Sequence, residues 1–289
     1  MESDSLTIVG RPQPTDARMV LAFTGWMNGG EVATGTVEHL VRSLGAAKVA
    51  AIDAEPFSIM SFPGSMEMSA LFRPHIEIEE GLITTFEMPA NEFFASEADN
   101  LVLFSGREPH LHWTAFAECL FRAAEALGVR MIYFIGTFAG VVPHSREPRL
   151  YTSVSDASLK AEMERLGIRF STYTGPGSFA TYLTRLSADR GMPMVSLVAE
   201  IPAYVQGRNP KCIEAMVRRL AAIVGLTVDM AGLRAASDAF EERLARIIGT
   251  RPELAAQIAK LETEYDSELF DTQMGDLKAW LEQQGIRLD

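Results

Sequence analysis

A short polar stretch at residues 142–146 contains the side chains best suited to chemistry. His144 titrates near neutral pH, and the guanidinium of Arg146 can hold a carboxylate or phosphate in a fork. Glu108 follows another apolar run and is a candidate partner, because a Glu, His, Arg set suffices for acid/base catalysis. The sequence contains no Gly-x-Ser-x-Gly elbow, and neither cysteine stands in a loop. We therefore favour a polar network, buried or facing another subunit, over a catalytic site.

Two glycine-rich loops precede predicted helices and are candidate anion sites, because backbone N–H groups at helix N-termini attract anions. The candidate ligand-binding residues are Trp26, Asn28 and Gly30 in the first loop, Tyr173, Gly175, Gly177 and Ser178 in the second, and Tyr204 after another predicted strand. Neither loop has the Lys-Ser/Thr of a phosphate-binding P-loop. We therefore favour the structural alternative, in which both loops are tight turns and Ser178 is a helix N-cap.

A metal site is a weaker alternative. His110 and His112 lie beside Glu108. A turn at Pro109 and a helix beginning near Trp113 would direct the two rings apart, and a complete ligand set needs more donors. We predict no metal and no cofactor.

Apolar runs precede most of these motifs and predict buried strands, and helical patterns separate them. The strand-like runs cover residues 19–23, 49–52, 101–104, 131–135 and 194–199, and the helix-like stretches cover residues 31–44, 111–127, 178–190 and 210–225. This alternation predicts an α/β fold with a mostly parallel sheet and helices on both faces. The motifs would then gather at one edge, where the strands end. Residues 75–79 and 82–88 predict a hairpin around Glu80-Gly81 at one side of the sheet.

The last part of the chain is helical only. Helices are predicted at residues 229–248, 252–265 and 271–284, with breaks at 249–252 and 267–269. In the middle helix, one apolar stripe must be buried, and it consists of Leu254, Ile258, Leu261 and Tyr265. Residues 229–289 hold 13 Asp/Glu against 7 Lys/Arg. We predict an α/β core domain at 1–228 and an acidic helical extension at 229–289 that docks on it.

Composition and charge restrict the function classes. The net charge of −12 and the lack of a basic stripe argue against nucleic acid as a partner. No run of eighteen apolar residues predicts a membrane span, and the first residues do not resemble a targeting signal. The two cysteines, Cys119 and Cys212, lie far apart, which fits a reducing compartment. We expect a cytoplasmic protein.

Methionine and phenylalanine crowd into residues 60–72, which resemble a loop. The apolar side chains there are Met60, Phe62, Met66, Met68, Leu71 and Phe72. Exposed Met and Phe suit an adaptable protein-contact surface, and a loop folded over its own core is equally compatible. Together with the apolar stripe of the acidic helices, this stretch has more apolar surface than a single chain is expected to bury. We therefore predict self-association.

Several motifs together resemble one known family. They are Gly25-Trp26-x-Asn28-x-Gly30, Arg73-Pro74, Gly106-x-Glu108-Pro109 with Trp113, Pro143-His144-Ser145-Arg146, Tyr173-x-Gly175-Pro176, and Pro202-x-Tyr204-Val205 with Asn209-Pro210. In this order the set resembles the proteasome-assembly-chaperone-like family over roughly residues 8–228. The helical tail is similar to the extension of bacterial members. The resemblance implies a three-layer α/β fold similar to phosphorylases, self-association, often as trimers, and in archaeal and eukaryotic relatives a role in assembling or engaging the 20S proteasome.

The chain also departs from that family's pattern. Ala203 stands where relatives commonly have His, and Ser61 where Asp often precedes the Phe. The last residues lack the hydrophobic-Tyr-any-residue tail with which some relatives dock on proteasome α rings. We predict a non-enzymatic, homotrimeric assembly factor or chaperone-like protein with itself and proteasome-type complexes as partners. The alternative is a phosphorylase- or hydrolase-like enzyme that uses Glu108, His144 and Arg146 on a small anionic or nucleoside-type ligand.

Overall fold

The computed structural model describes residues 5–10 and 16–283. They form a nine-stranded mixed sheet and a separate two-stranded hairpin, with helices on both faces of the large sheet. The strands are β1 (Leu6–Ile8), β2 (Ala17–Thr24), β3 (Ala47–Ile52), β4 (His75–Glu79), β5 (Leu82–Glu87), β6 (Glu92–Ser96), β7 (Leu101–Arg107), β8 (Val129–Gly140), β9 (Leu150–Val154), β10 (Arg169–Phe170) and β11 (Met194–Pro202). The helices are α1 (Val32–Ser43), α2 (Met66–Ala70), α3 (Trp113–Ala126), α4 (Lys160–Arg165), α5 (Phe179–Arg190), α6 (Pro210–Val224), α7 (Ala231–Gly249) and α8 (Pro252–Gln283).

The strand order of the large sheet is β1-β3-β6-β7-β2-β8-β11-β9-β10. Its centre, β7-β2-β8-β11, is parallel throughout. The strands on both sides of this centre pair antiparallel with their inner neighbours, apart from the parallel pair of β9 and β10. The predicted mostly parallel sheet is therefore confirmed for the strands that precede most of the motifs. The antiparallel flanks were not predicted.

Two apolar layers cover the sheet. On one face, α3 and α5 pack over rings that include Phe23, Phe104, Phe116 and Phe179, all buried. On the other face, α1 and α6 pack over the remaining side chains of the same strands. Because helices cover β2, β7, β8 and β11 on both faces of the sheet, the sequences of these strands are continuous apolar runs. Each buried Phe or Leu contributes about 1.5–3 kcal/mol relative to an exposed one.

The helices end where the sequence places turn-forming residues. Pro210 occupies the first turn of α6, and the side chain of Asn209 accepts the backbone N–H of Cys212 at 3.1 Å. Gly225 closes the same helix in the left-handed conformation, φ 70°. The predicted helix boundaries are confirmed to within two residues for the four core helices.

The hairpin is not part of the large sheet. β4 and β5 form the predicted antiparallel pair around Glu80 and Gly81, but they pair only with each other. Nearly all of their residues are exposed. The expectation of a hairpin at the sheet's edge is therefore corrected: the hairpin projects as an independent element.

The C-terminal part consists of two helices rather than three. The break at 249–252 is confirmed, but α8 continues through residues 267–269. Ser, Glu and Leu are all tolerated inside a helix, whereas the true break contains Gly249 and Pro252. α7 packs against α6. Of the predicted stripe, Ile258 and Tyr265 are buried and Leu254 and Leu261 half-buried. Residue 284, the end of the predicted third helix, lies outside the described residues.

No described helix has both the length and the apolar content that crossing a membrane requires.

Candidate functional site

Five of the sequence motifs follow strands of the large sheet: residues 25–30, 106–109, 142–146, 173–177 and 201–205. Four of them lie at one edge of the sheet, which we call the rim. The rim is formed by the loops that follow β7, β2, β8 and β11. These four strands are parallel, so their carboxyl ends lie at the same edge of the sheet. The fifth motif, residues 173–177, arrives by a different route. It follows β10, which is parallel to β9 and therefore antiparallel to β11. This motif reaches the rim because it leads into the N-terminus of α5, not because it ends a parallel strand.

Glu108 connects two of these motifs. Its Oε2 accepts the backbone N–H of Trp26 at 3.2 Å, and its Oε1 accepts the backbone N–H of Phe179 at 3.1 Å. Phe179 is the first residue of α5, so the carboxylate stabilises an otherwise unpaired N–H at the positive end of a helix. Glu108 therefore joins the loop after β2 to the start of α5, a structural task for the acid that we considered for catalysis.

The loop that contains Asn28 satisfies its own polar groups. The Asn28 side chain accepts the backbone N–H of Thr34 at 3.1 Å and donates to its hydroxyl at 2.9 Å. Gly30 has φ 64°, and a Cβ there would lie 2.9 Å from the Cβ of Asn209. Only glycine fits this turn without displacing the cap of α6. Asn28 itself thus occupies the N–H of Thr34 in the first turn of α1.

The second glycine-rich loop is likewise bonded internally. Ser178 is the N-cap of α5, as predicted, and its Oγ accepts the backbone N–H of Thr181 at 3.2 Å. The hydroxyl of Tyr173 donates to the carbonyl of Pro176 at 3.2 Å. Gly175 and Gly177 lie in this turn, and the first N–H of α5 is taken by Glu108. The structure therefore favours the turn and cap alternative over an anion site in this loop.

His144 is buried and lies against Tyr204. The Tyr204 hydroxyl accepts the backbone N–H of His144 at 2.7 Å and lies 2.9 Å from its Nδ1. Burial lowers the pKa of His144 below its ordinary 6.5, partly offset by the acidic side chains of Glu262 and Glu241. Burial also raises the pKa of Tyr204. The pair is thus neutral near pH 7 and holds the loops after β8 and β11 together.

The next two residues bind the C-terminal helix. Ser145 donates a hydrogen bond to Glu262, and Arg146 forms two bonds with Asp266, each 2.8 Å long. This fork raises the pKa of Arg146 and lowers that of Asp266, in both cases chiefly through the hydrogen bonds between them. The polar stretch of residues 142–146 is therefore a docking surface for α8 within the same chain.

Within the described residues, the candidates Glu108, His144 and Arg146 do not share one hydrogen-bonded network. Glu108 bonds to Trp26 and Phe179, whereas His144 and Arg146 bond to Tyr204 and Asp266. The physical reason is the strand order. Glu108 follows β7 and His144 follows β8, and the whole of β2 lies between them. The expected Glu, His, Arg network is thus corrected to two separate structural clusters.

Sequence reasoning missed a buried ion pair. Glu200, inside the apolar strand β11, accepts the backbone N–H of Val141 at 3.0 Å and pairs with Arg149 at 3.3 Å. Arg149 also pairs with Glu268 of α8 at 2.6 Å, and its guanidinium lies 4.4 Å from the ring centre of Tyr265. The available signal was the acid itself, because a carboxylate inside a buried strand needs a partner.

The remaining chemistry candidates have structural roles. His110 accepts the backbone N–H of Ile59 through Nδ1 at 3.1 Å, and His112 precedes α3 with φ 54°. Among the residues described, no three His, Cys, Asp or Glu side chains are grouped to hold a metal. Both cysteines are buried and neither forms a disulfide, and burial raises the pKa of Cys212 to about 12. The Cys212 thiol is therefore unreactive at neutral pH.

Known proteins share this fold. Among curated proteins, none is significantly similar in sequence. A PAC2 family protein from Streptomyces avermitilis is 27% identical, with a TM-score of 0.72 over 84% of this chain and 99% of its own. The Mycobacterium tuberculosis proteasome-assembly chaperone homologue Rv2125 is 26% identical, with a TM-score of 0.73 over 83% and 99%. Rv2714, a protein of unknown function from the same organism, is 21% identical with a TM-score of 0.81 over 96% and 94%, which shows the shared fold.

The family assignment rests on the sequence as well. The model of the PAC2 family matches residues 22–248, a range that includes the whole rim and α7. The chain therefore belongs to the PAC2 family.

Proposed function

We propose that this protein is a cytoplasmic, homotrimeric assembly factor that acts by protein contact rather than catalysis. Its PAC2 family membership supports a chaperone-like assembly role, and a similar solved structure is a proteasome-assembly chaperone homologue. Its partners would be further copies of itself and a multi-subunit complex of the proteasome type. We assign the contact surface to a segment that we call the arm, residues 60–88, which contains α2 and the hairpin of β4 and β5.

The arm is the observation that carries this proposal. Ten of its apolar side chains are exposed by 40% to 82%, and they are Phe62, Met66, Met68, Leu71, Ile76, Ile78, Leu82, Ile83, Phe86 and Met88. An apolar surface of this extent is unusual on a protein that works alone. Phe62 and Phe72 stack with ring centres 5.1 Å apart, but the arm places few apolar side chains in the core.

The hairpin has one apolar face. Ile76 lies opposite Phe86 and Ile78 opposite Ile83, while Glu77 between them points to the other side. A two-stranded hairpin with an uncovered apolar face is marginally stable in water. A second copy of the chain offers the same kind of surface in return, so we infer that the arm is ordered by contact with a neighbouring subunit.

The rim supports the same conclusion. Its acids, amides and hydroxyls bond to one another, cap α1 and α5, or hold α8. These bonds stabilise one arrangement of the loops. The side chains of His144 and Arg146 are bonded to other residues of the same chain. We therefore propose a scaffold role for the rim.

Affinity capture from the host tests the assembly role. We expect the parent protein to retain the subunits of one multi-subunit complex, and Phe86→Asp to lose them because a charge on the apolar face opposes burial. The control is Val9→Asp, which changes an equally exposed apolar residue outside the arm. Equal capture by all three proteins, or capture of no complex subunit by the parent, would contradict the proposal.

A further inference from the structure

A cavity of about 670 Å³ opens between the rim and the base of the arm. Its walls include the Trp26 loop, residues 105–110 at and after the end of β7, and the two segments at the base of the hairpin, residues 73–75 and 87–90. This volume is within the range of small-molecule sites. The cavity includes Gly25 and Trp26 of the first glycine-rich loop but no residue of the second. At the helix N-termini beside these loops, Asn28, Ser178 and Glu108 already accept backbone N–H groups of α1 and α5.

Two arginines on the walls have unused hydrogen-bonding capacity. Arg73 has no side-chain hydrogen bond or ion pair within residues 5–10 and 16–283. Arg107 is half-buried and uses one terminal nitrogen on the backbone carbonyl of Leu71, at 3.1 Å. A carbonyl is neutral, so that bond leaves the positive charge of Arg107 uncompensated. Both guanidiniums therefore keep donors for a planar oxyanion.

His110 adds a neutral donor to the same walls. Its Nδ1 accepts the N–H of Ile59 at 3.1 Å, which places the ring proton on Nε2. Burial lowers the pKa of His110, and the charge of Arg107 lowers it further, whereas Glu108 acts in the opposite direction. The ring is thus uncharged at neutral pH and offers an N–H rather than a second acceptor.

Within the described residues, the two acids on the walls, Glu108 and Glu87, form no ion pair with Arg73 or Arg107. Both carboxylate oxygens of Glu108 already accept backbone N–H groups, from Trp26 and Phe179. Glu87 lies on the arm side and is exposed, so solvent and salt screen its charge. Donors exceed free acceptors on the inner walls. The Trp26 side chain, 61% exposed, provides an apolar, planar surface beside them.

We propose that this cavity binds a small molecule that carries a carboxylate or phosphate group attached to an apolar, planar body. The oxyanion is held between Arg73 and Arg107, with His110 as an additional donor, and the body packs on Trp26. This binding site belongs to each chain and does not depend on the proposed self-association. It gives the Arg73-Pro74 and Gly106-x-Glu108-Pro109 motifs a shared task, since both line the same space.

Calorimetric titration of the intact protein tests this site with three probes: inorganic phosphate, phenyl phosphate and benzoate. We expect millimolar or tighter binding of phenyl phosphate or benzoate, and weaker binding of inorganic phosphate, which lacks the ring. Whichever of phenyl phosphate and benzoate binds more tightly identifies whether the preferred oxyanion is phosphate or carboxylate. Arg73→Gln and Arg107→Gln should each weaken binding by about tenfold or more, because a charge-assisted fork is lost.

Matched variants separate the site from general effects. Arg130→Gln removes an arginine that is 77% exposed and outside the cavity, and it should bind as the parent does. Arg73→Lys keeps the charge without the fork and should retain part of the affinity. Ligand-induced change of tryptophan fluorescence should be lost in Trp26→Phe. No binding of any probe by the parent would overturn the proposal, and so would equal affinity of the parent and both glutamine variants. Light scattering on the same samples shows separately whether self-association is intact.

Discussion

Arg146 and Asp266 form a two-bond ion pair across 120 residues of sequence, and this pair fixes α8 to the loop after β8. It lies beside the hydrogen bond from Ser145 to Glu262. The stretch that looked most like catalytic machinery is thereby explained as the seat of the C-terminal helix. The bonds from Arg146 lower the pKa of Asp266 below its ordinary 3.8, and the hydrogen bond from Arg169 lowers the pKa of Glu268 below its ordinary 4.5. The stabilisation from these carboxylates is therefore present at neutral pH and is lost as pH falls below those ordinary values.

The first prediction concerns His144 and Tyr204. His144→Ala should lower the free energy of unfolding by about 1–3 kcal/mol, because it removes a buried ring and its hydrogen bond with the Tyr204 hydroxyl. Tyr204→Phe should cost a similar amount, and the double variant should cost less than the sum of the two. Urea unfolding measures all three. Strict additivity of the two substitutions would show that the pair does not interact.

The second prediction is a pH dependence. The folded protein disfavours the charged form of His144, whose pKa lies below its ordinary 6.5 because of burial. As pH falls through that ordinary value, the unfolded chain gains a proton that the folded chain does not, so stability decreases until pH reaches the folded pKa. Urea midpoints between about pH 7 and pH 5 should show this decrease.

His144→Gln serves as the control for that measurement. His110 shifts in the same direction, so the variant should flatten the slope without abolishing it. A parent protein whose urea midpoint rises as pH falls over this range would contradict the account.

The third prediction concerns the buried pair of Arg149 and Glu200, whose side chains are 13% and 9% exposed. Arg149→Met should cost about 3–5 kcal/mol, because it leaves the Glu200 carboxylate uncompensated in a buried strand. Adding Glu200→Gln should recover part of that loss. Arg130→Met, at an exposed arginine, is the matched control and should change the unfolding free energy little. Equal effects of the buried and exposed substitutions would contradict the assignment.

The fourth prediction concerns the proposed division at residue 228. A chain that ends after Val228 should retain its far-ultraviolet circular dichroism signal for the α/β core, because both apolar layers of the sheet belong mainly to that core. It should melt at a lower temperature and associate differently, since the Tyr265 hydroxyl no longer bonds to the carbonyl of Glu147 in the loop after β8. An unfolded truncated chain would show that the boundary is wrong.

The sequence predicts the central sheet well because its elements are bounded by strong local signals. The strands covered on both faces are apolar throughout, and Pro210, Gly191 and Gly225 mark helix ends. The hairpin follows from alternation around Glu80 and Gly81. The break predicted at 267–269 fails because no glycine or proline is present there. Local patterns of this kind contain little information about which strands become neighbours in the sheet.

The candidate site is less predictable for that reason. Whether Glu108 meets His144 depends on the strand order, in which β2 separates β7 from β8. The bond from Glu108 to the start of α5 depends on a crossing that begins at β10, on the far side of the sheet. Glu200 could be recognised as unusual, but its partner Arg149 could not be identified from spacing. Long-range pairing of polar groups is decided by tertiary packing.

Self-association through the arm is the central claim, and light scattering coupled to size exclusion at micromolar concentration tests it most directly. The account predicts a closed oligomer for the parent, with three times the chain mass of 31.7 kDa. Phe86→Asp should shift the protein toward the monomer, whereas Val9→Asp, outside the arm, should leave the mass unchanged. A parent protein that elutes as a strict monomer, or an oligomer unaffected by the charge at position 86, would contradict the claim.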